Sequence, residues 1–526
     1  MEIKIGENMN LSVFFDKNLF DAGTDLFNYL NIRLNSSTTI SLDLKDVLKK
    51  HFKAKEIFSD VTETYFLGLV DDSVFDMLQT PLSFQEADKK INNDYNGLMV
   101  FAVRLNDNKK TLTRSDIADL TRAFNRASQF MPVVLLVKYG NFLTFSTSER
   151  LKYQQTWRPG EKIGKVSMLK DINLLKTHAG HSRILEDLIK KPEVKNFNGL
   201  YEQWKEVFNI KILNKNFFKE LADWYFWAVE NVQFPEHAEK DKDGKDSISV
   251  IRLLTRLIFV WFMKEKEELI PDDLFRKDKI YSYIKDLSDN ESTYYKAVLQ
   301  NLFFATLNTP IEERKFRTEK RGYSGYNEDF GNHYVYRYNN LFKPNADWKT
   351  LFKEIPFLNG GIFDCLDDKK NKKYRDGFSD TSKNQSVVPN VLFFGEKKTD
   401  KDYEIDLNKI YSTSKQKHEI SGIINMLNGY KFTISENTPL EEEIALDPNL
   451  LGKTFESLLT YYNPETGQNA RKRQGSYYTP AEIVEYMVNE SLTTYLEHSL
   501  KETCPKAENI QEKLRHLFDY GISENP

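Results

Sequence analysis

Two apolar runs with a helical stretch between them constrain this chain most. Leu98-Met-Val-Phe-Ala-Val-Arg-Leu105 and Pro132-Val-Val-Leu-Leu-Val-Lys-Tyr139 read as buried strands. Gly140 and Asn141 supply a turn into a third strand, Phe142 to Ser146. Between the first two, Ile117, Leu120, Phe124, Ala127 and Met131 recur at helical spacing over residues 113–131. Arg114, Arg122 and Arg126 lie off that apolar stripe. Residues 1–165 are therefore expected to form an α/β module.

Residues 166–300 read as a helical domain. Its most apolar window, Ile248 to Met263, carries Arg252 and Arg256 and is shorter than the roughly 20 residues of a spanning helix. It is expected to be a buried helix whose two arginines, sharing one face, pair with acids of a neighbouring helix. The charged, apolar-poor stretch Pro235 to Ser247 reads as a linker.

Residues 301–446 form a mixed connector. Here Arg314, Lys315, Arg317 and Arg321 alternate with Phe316, Tyr323, Tyr326, Tyr334, Tyr336 and Tyr338. Cations neutralise phosphates and aromatic rings stack on bases, so this segment is a candidate nucleic-acid contact. The same composition suits a solvated loop with a tyrosine-rich hairpin. A second basic run, Lys369 to Arg375, is expected to be a disordered loop.

The last segment, residues 447–526, contains Arg471-Lys-Arg-Gln-Gly-Ser-Tyr-Tyr-Thr-Pro-Ala-Glu-Ile-Val-Glu-Tyr-Met-Val488. Gly475 and Ser476 allow a turn. Thr479 is placed as N-cap, Pro480 suits the first helical position, and Glu482 completes a capping box. Ile483, Val484, Met487, Val488, Leu492 and Tyr495 then give one apolar face. The free amides at such a helix start suit a carboxylate or phosphate. Arg471 and Arg473, just before it, are candidates for contact with substrate phosphates.

Four ordered landmarks, Arg252 to Phe262, Pro356-Phe-Leu-Asn-Gly-Gly-Ile-Phe363, Gly429 to Leu459 and the Gly-Ser-Tyr-Tyr-Thr-Pro element, give this chain a family likeness. It resembles the adenine-specific DNA methyltransferases of type IIG-like fused restriction-modification enzymes, over about Ser247 to Leu492. The resemblance implies S-adenosyl-L-methionine as cofactor and double-stranded DNA as partner. It also implies that Tyr477, Tyr478 and Thr479 help hold the methionine end of the cofactor.

Two elements of that chemistry are missing. One is the glycine-rich strand-to-helix turn of the Asp-Pro-Ala-Cys-Gly-Ser-Gly kind. The other is the Asn-Pro-Pro-Tyr loop that grips a flipped adenine. Asp447-Pro448-Asn449 instead opens an amphipathic helix through Leu450, Leu451, Phe455, Leu458 and Leu459, and Asn463-Pro464-Glu465 lacks the second proline and the aromatic. The chain is therefore expected to be the N-terminal portion, holding only the start of a Rossmann-like methyltransferase domain, with no catalytic residue of its own and inactive alone. A non-catalytic DNA-binding or scaffold subunit, pairing with a separately encoded catalytic methyltransferase chain, is the alternative.

The α/β module resembles the nuclease-like domains that open many fused restriction enzymes. A magnesium-dependent endonuclease of that type needs an acid and then Glu-x-Lys on the next strand. Asp94, Asp71 and Asp72 are the available acids, but no Glu-x-Lys follows, so the module is expected to lack an active site and to hold no metal.

Global charge excludes little. With 74 basic and 78 acidic residues the net charge is −4, so any contact with DNA must come from local patches. The two cysteines, Cys365 and Cys504, form no metal or redox spacing, which with many lysines and no signal sequence fits a reducing cytoplasm. His178 and His181 are expected to be polar surface residues rather than zinc ligands.

Overall fold

The computed structural model describes residues 10–75, 80–91, 97–106, 108, 111–129, 131–152, 161–241, 243–265, 269–316, 334–358, 360–434, 437–438, 440–446, 448, 481–503, 509–510 and 513–514. The chain divides into two compact units, Met1–Leu451 and Gly452–Pro526.

The first unit is mixed α/β. Its main sheet runs β1 (Val61–Val70), β2 (Leu98–Leu105), β3 (Val133–Tyr139), β4 (Phe142–Lys152), β5 (Glu161–Asn173) and β8 (Glu441–Glu443), in that spatial order. A two-residue pair, β6 (Lys398–Thr399) with β7 (Glu419–Ile420), stands apart. Both apolar runs are strands, as expected, and they pair in parallel, Met99 opposite Val133 through Arg104 opposite Lys138. The crossover between them is α2 (Arg114–Ala127), so the strands are covered on both faces and need no polar alternation.

Alternate residues of β2 go to opposite cores. Val100 and Ala102 join Leu26 and Phe27 of α1 (Leu19–Tyr29) and Trp204 of α4 (Phe197–Val207). Met99, Phe101 and Val103 join Ile117, Leu120 and Phe124 of α2. Each such side chain contributes roughly 1.5–3 kcal/mol by burial. Thr113 caps α2, its side chain accepting from Asp116 in a capping box. The helix ends before Met131 because Gln129 adopts a positive φ of 51°.

Around this module pack α3 (Ala179–Asp187), α5 (Ile210–Asn231), α6 (Ser247–Glu265), α7 (Ile423–Asn428) and a buried π-helix, Tyr295–Leu307. α6 is the buried helix expected from its apolar window, with Val250, Leu254, Leu257, Ile258 and Trp261 fully enclosed.

Three local expectations are corrected. Pro235–Ser247 is not a solvated linker: Asp246 accepts from the Phe234 amide at 2.9 Å, and Asp241 from the Asp243 and Lys245 amides and the Ser247 hydroxyl. Asp241 and Asp246 thereby tie the segment to its own main chain. The run 369–375 is an ordered turn, closed by paired main-chain bonds between Asp368 and Lys373 at 2.8 and 2.9 Å. Lys369 is buried there, over the Phe378 ring at 5.2 Å.

His178 and His181 are not surface groups either. His178 Nδ1 caps α3 by accepting from the Gly180 amide at 3.0 Å, and His181 is 2% exposed.

The second unit contributes α8, Ala481–Thr503. Among the described residues no helix is long and apolar enough to cross a membrane.

Candidate functional site

Three of the four landmarks meet at α6. Arg256, 3% exposed, donates from Nε to the Ile362 carbonyl at 2.9 Å and from Nη2 to the Asp364 carbonyl at 2.8 Å. Its Nη1 pairs with Asp376 at 3.0 Å, while Arg252 reaches the same carboxylate at 4.0 Å. The expected pairing is therefore present, but the acid comes from a loop and not from a helix. Burial alone would lower the Arg256 pKa; Asp376 outweighs it and holds the guanidinium above its ordinary value.

Phe259 and Phe363 stand edge to face at 5.8 Å. From the third landmark, Phe432 packs edge-on to Phe262 at 5.0 Å, and Lys431 pairs with Glu265 at 2.9 Å. These landmark residues are thus interior contacts that fix one another, not groups presented to a ligand.

The fourth landmark, Gly475 to Pro480, lies outside the described residues, which resume at Ala481. Tyr477, Tyr478 and Thr479, the expected cofactor contacts, lie outside the described residues, as do Arg471 and Arg473. α8 follows where the proposed cap placed it. Its stripe of Ile483, Val484, Met487, Val488, Leu492 and Tyr495 is exposed, between 43% and 68% of each residue.

Of the basic and aromatic connector, Arg314 and Lys315 are described, whereas Arg317 and Arg321 are not. Arg314 spends its guanidinium on four main-chain carbonyls, those of Thr306, Thr309, Phe352 and Ile355, at 2.8–3.1 Å. It closes the end of the π-helix, and burial lowers its pKa. Lys315 is exposed. Tyr336 and Tyr338 are buried among aromatic rings, with Tyr336 stacked on Phe316 at 4.8 Å and Tyr338 edge-on to Phe378 at 6.0 Å, while Tyr334 is half-buried.

In the α/β module the available acids serve the main chain. Asp71 accepts from the Ser73 amide at 2.9 Å, and Asp72 from the Phe197 amide at 2.8 Å. Asp94 lies outside the described residues. No group of three or more His, Cys, Asp or Glu side chains among the described residues is placed to hold a metal.

Two of the three arginines off the α2 stripe meet an acidic triplet far downstream. Arg114 pairs with Glu443 at 3.2 Å and Arg122 with Glu441 at 3.0 Å, while Lys165 takes Glu442 at 2.9 Å. Three successive acids are read by cations from α2 and β5, which holds β8 at the sheet edge. The only signal was two arginines spaced two helical turns apart and an acidic triplet far downstream.

The chain is 31% identical over 268 residues to a protein of Methanocaldococcus jannaschii provisionally named as a type II restriction enzyme and methyltransferase. The match covers 51% of this chain and 16% of that protein's length. No family model and no solved structure matches the chain.

Proposed function

We propose that this chain is the part of a fused restriction-modification enzyme that leads into an S-adenosylmethionine-dependent, adenine-specific DNA methyltransferase domain. The observation that carries the reading is the similarity to the Methanocaldococcus jannaschii protein, whose name joins restriction and methyl transfer. The order of the four landmarks supports it, and so does the exposed apolar stripe of α8, which suits a helix that packs on further protein.

In this reading Tyr477, Tyr478 and Thr479 border the cofactor, which supplies the methyl group. The glycine-rich and Asn-Pro-Pro-Tyr elements come from protein outside residues 1–526. Lys315, Arg317, Arg321, Arg471 and Arg473 supply phosphate contacts; Arg314 is left out because its donors are already engaged. Nuclease activity has no support among the described acids.

The test is transfer of a labelled methyl group from S-adenosylmethionine to duplex DNA. This chain would be assayed alone and after completion with a polypeptide carrying those two elements. Label on adenine N6 from the completed protein alone is expected. Transfer by this chain alone, or to cytosine by the completed protein, would overturn the reading.

A further inference from the structure

A groove of about 690 Å³, lined by several charged side chains, lies along α5, the β6–β7 pair and α7. His418 lines it and is 2% exposed, yet neither ring nitrogen has a hydrogen-bond partner. Its Nδ1 stands 3.8 Å from Asp223, beyond hydrogen-bond reach. The other oxygen of Asp223 accepts from the Tyr411 hydroxyl at 2.7 Å, and the Tyr411 ring lies over the imidazole at 5.6 Å and 23°. The ring is therefore held in place by packing while its polar atoms are left unused. A buried donor or acceptor without a partner costs about 1–3 kcal/mol, so the arrangement is organised for a polar group that enters from the groove.

The charges on the groove wall say what kind of group. Glu220 is matched by Arg183 at 2.7 Å and Glu419 by Lys397 at 3.0 Å. Asp223 accepts from Tyr411 and also faces the Lys219 charge, although burial pushes its carboxyl up. Lys219 and Lys417 also line the groove, are exposed, and make no ion pair among the described residues. Four cations (Arg183, Lys219, Lys397 and Lys417) thus face three acids (Glu220, Asp223 and Glu419), which leaves the wall with an excess of positive charge beside the unused imidazole. A compact oxyanion with several lone pairs is the class of ligand whose charge and acceptors match these groups.

We propose that this groove is a phosphate-binding subsite, in which Lys219 and Lys417 neutralise the anion and His418 donates to one of its oxygens. The phosphate is either that of a nucleic-acid backbone or that of a free mononucleotide. The assignment stands independently of methyl transfer, since it rests on the first unit alone.

The test is a titration of the intact chain, labelled in its histidine rings, with inorganic phosphate at constant ionic strength, followed by ring nitrogen–proton correlation. A saturable shift of the His418 signals is expected. In the Lys219→Ala, Lys417→Ala double variant the apparent affinity should fall about tenfold or more, from loss of charged hydrogen bonds. Both side chains are exposed, so the fold is kept. Unmoved His418 signals, or equal affinity in the double variant, would overturn the proposal. Adenosine monophosphate and a short duplex are then added as competitors. Displacement by the duplex assigns the backbone source, displacement by the nucleotide alone assigns the free source, and displacement by neither overturns the proposal.

Discussion

The Nε of Arg256 donates to the carbonyl of Ile362 at 2.9 Å, joining α6 to the Pro356–Phe363 segment across 106 residues of chain. Asp376 completes the arrangement and is 1% exposed. Arg256→Met would leave that buried carboxylate with only the Leu366 amide and the more distant Arg252 at 4.0 Å, at a cost of about 3 kcal/mol. The loss should appear in the opening free energy of α6 amides measured by hydrogen exchange. Arg256→Met combined with Asp376→Leu should recover part of it. Equal protection in the single variant and the parent would contradict this role.

The β8 edge depends on cations. Arg122→Ala is expected to lower the protection of the 441–443 amides by about 1–2 kcal/mol, the range for a partly buried charged hydrogen bond. Exchanging the charges, with Arg122→Glu and Glu441→Arg together, should restore some protection over either single change. If the single changes leave these amides unaltered, β8 is held by its pairing with β5 and not by the acids.

Stability around α3 should fall in mild acid. Burial first, and then the Lys431 charge, lower the His178 pKa from 6.5 to about 4, and burial holds His181 well below its ordinary value. Above pH 6.5 both are neutral whether folded or unfolded, so their contribution is complete. As pH falls from 6.5 toward 4 the unfolded chain binds protons that the folded chain refuses, and stability declines. Protonation also removes the Nδ1 acceptor that caps α3. Melting temperature against pH should show this slope, and His181→Asn should flatten it. An unchanged slope would remove the histidines from the account.

The apolar stripe of α8 should be neutral for the chain and important for assembly. Met487 is 59% exposed, so Met487→Ser should change stability by no more than about 0.5 kcal/mol. The same change should weaken association with the completing methyltransferase polypeptide, read by analytical ultracentrifugation. Unchanged association would mean that this face does not dock.

The strands β2 and β3 were legible because a strand buried on both faces shows as a near-continuous apolar run, and α2 because its period is clean and its cap is explicit. β5 was not, since Lys162, Lys165, Lys170 and Asp171 interrupt it. β8 was not either: Glu441, Glu442 and Glu443 carry little strand propensity, and the cations that receive them, Arg114, Arg122 and Lys165, lie far upstream.

The same physics explains the misread polar segments. Asp241, Asp246, Lys369 and His181 look solvated by composition and are instead satisfied or enclosed by contacts that no local pattern announces. Arg314 is the sharpest case, because a cation free for phosphate and a cation capping carbonyls have the same sequence signature. His418 and Asp223 stand 195 residues apart, and only the fold brings them to one groove.

Calorimetric titration of S-adenosylmethionine tests the central claim most directly. It is applied to this chain alone, and to this chain completed by a polypeptide with the glycine-rich and Asn-Pro-Pro-Tyr elements. No binding heat is expected from the chain alone; binding is expected from the completed protein, and its loss with Thr479→Val. Binding by the chain alone, or none by the completed protein, would contradict that claim.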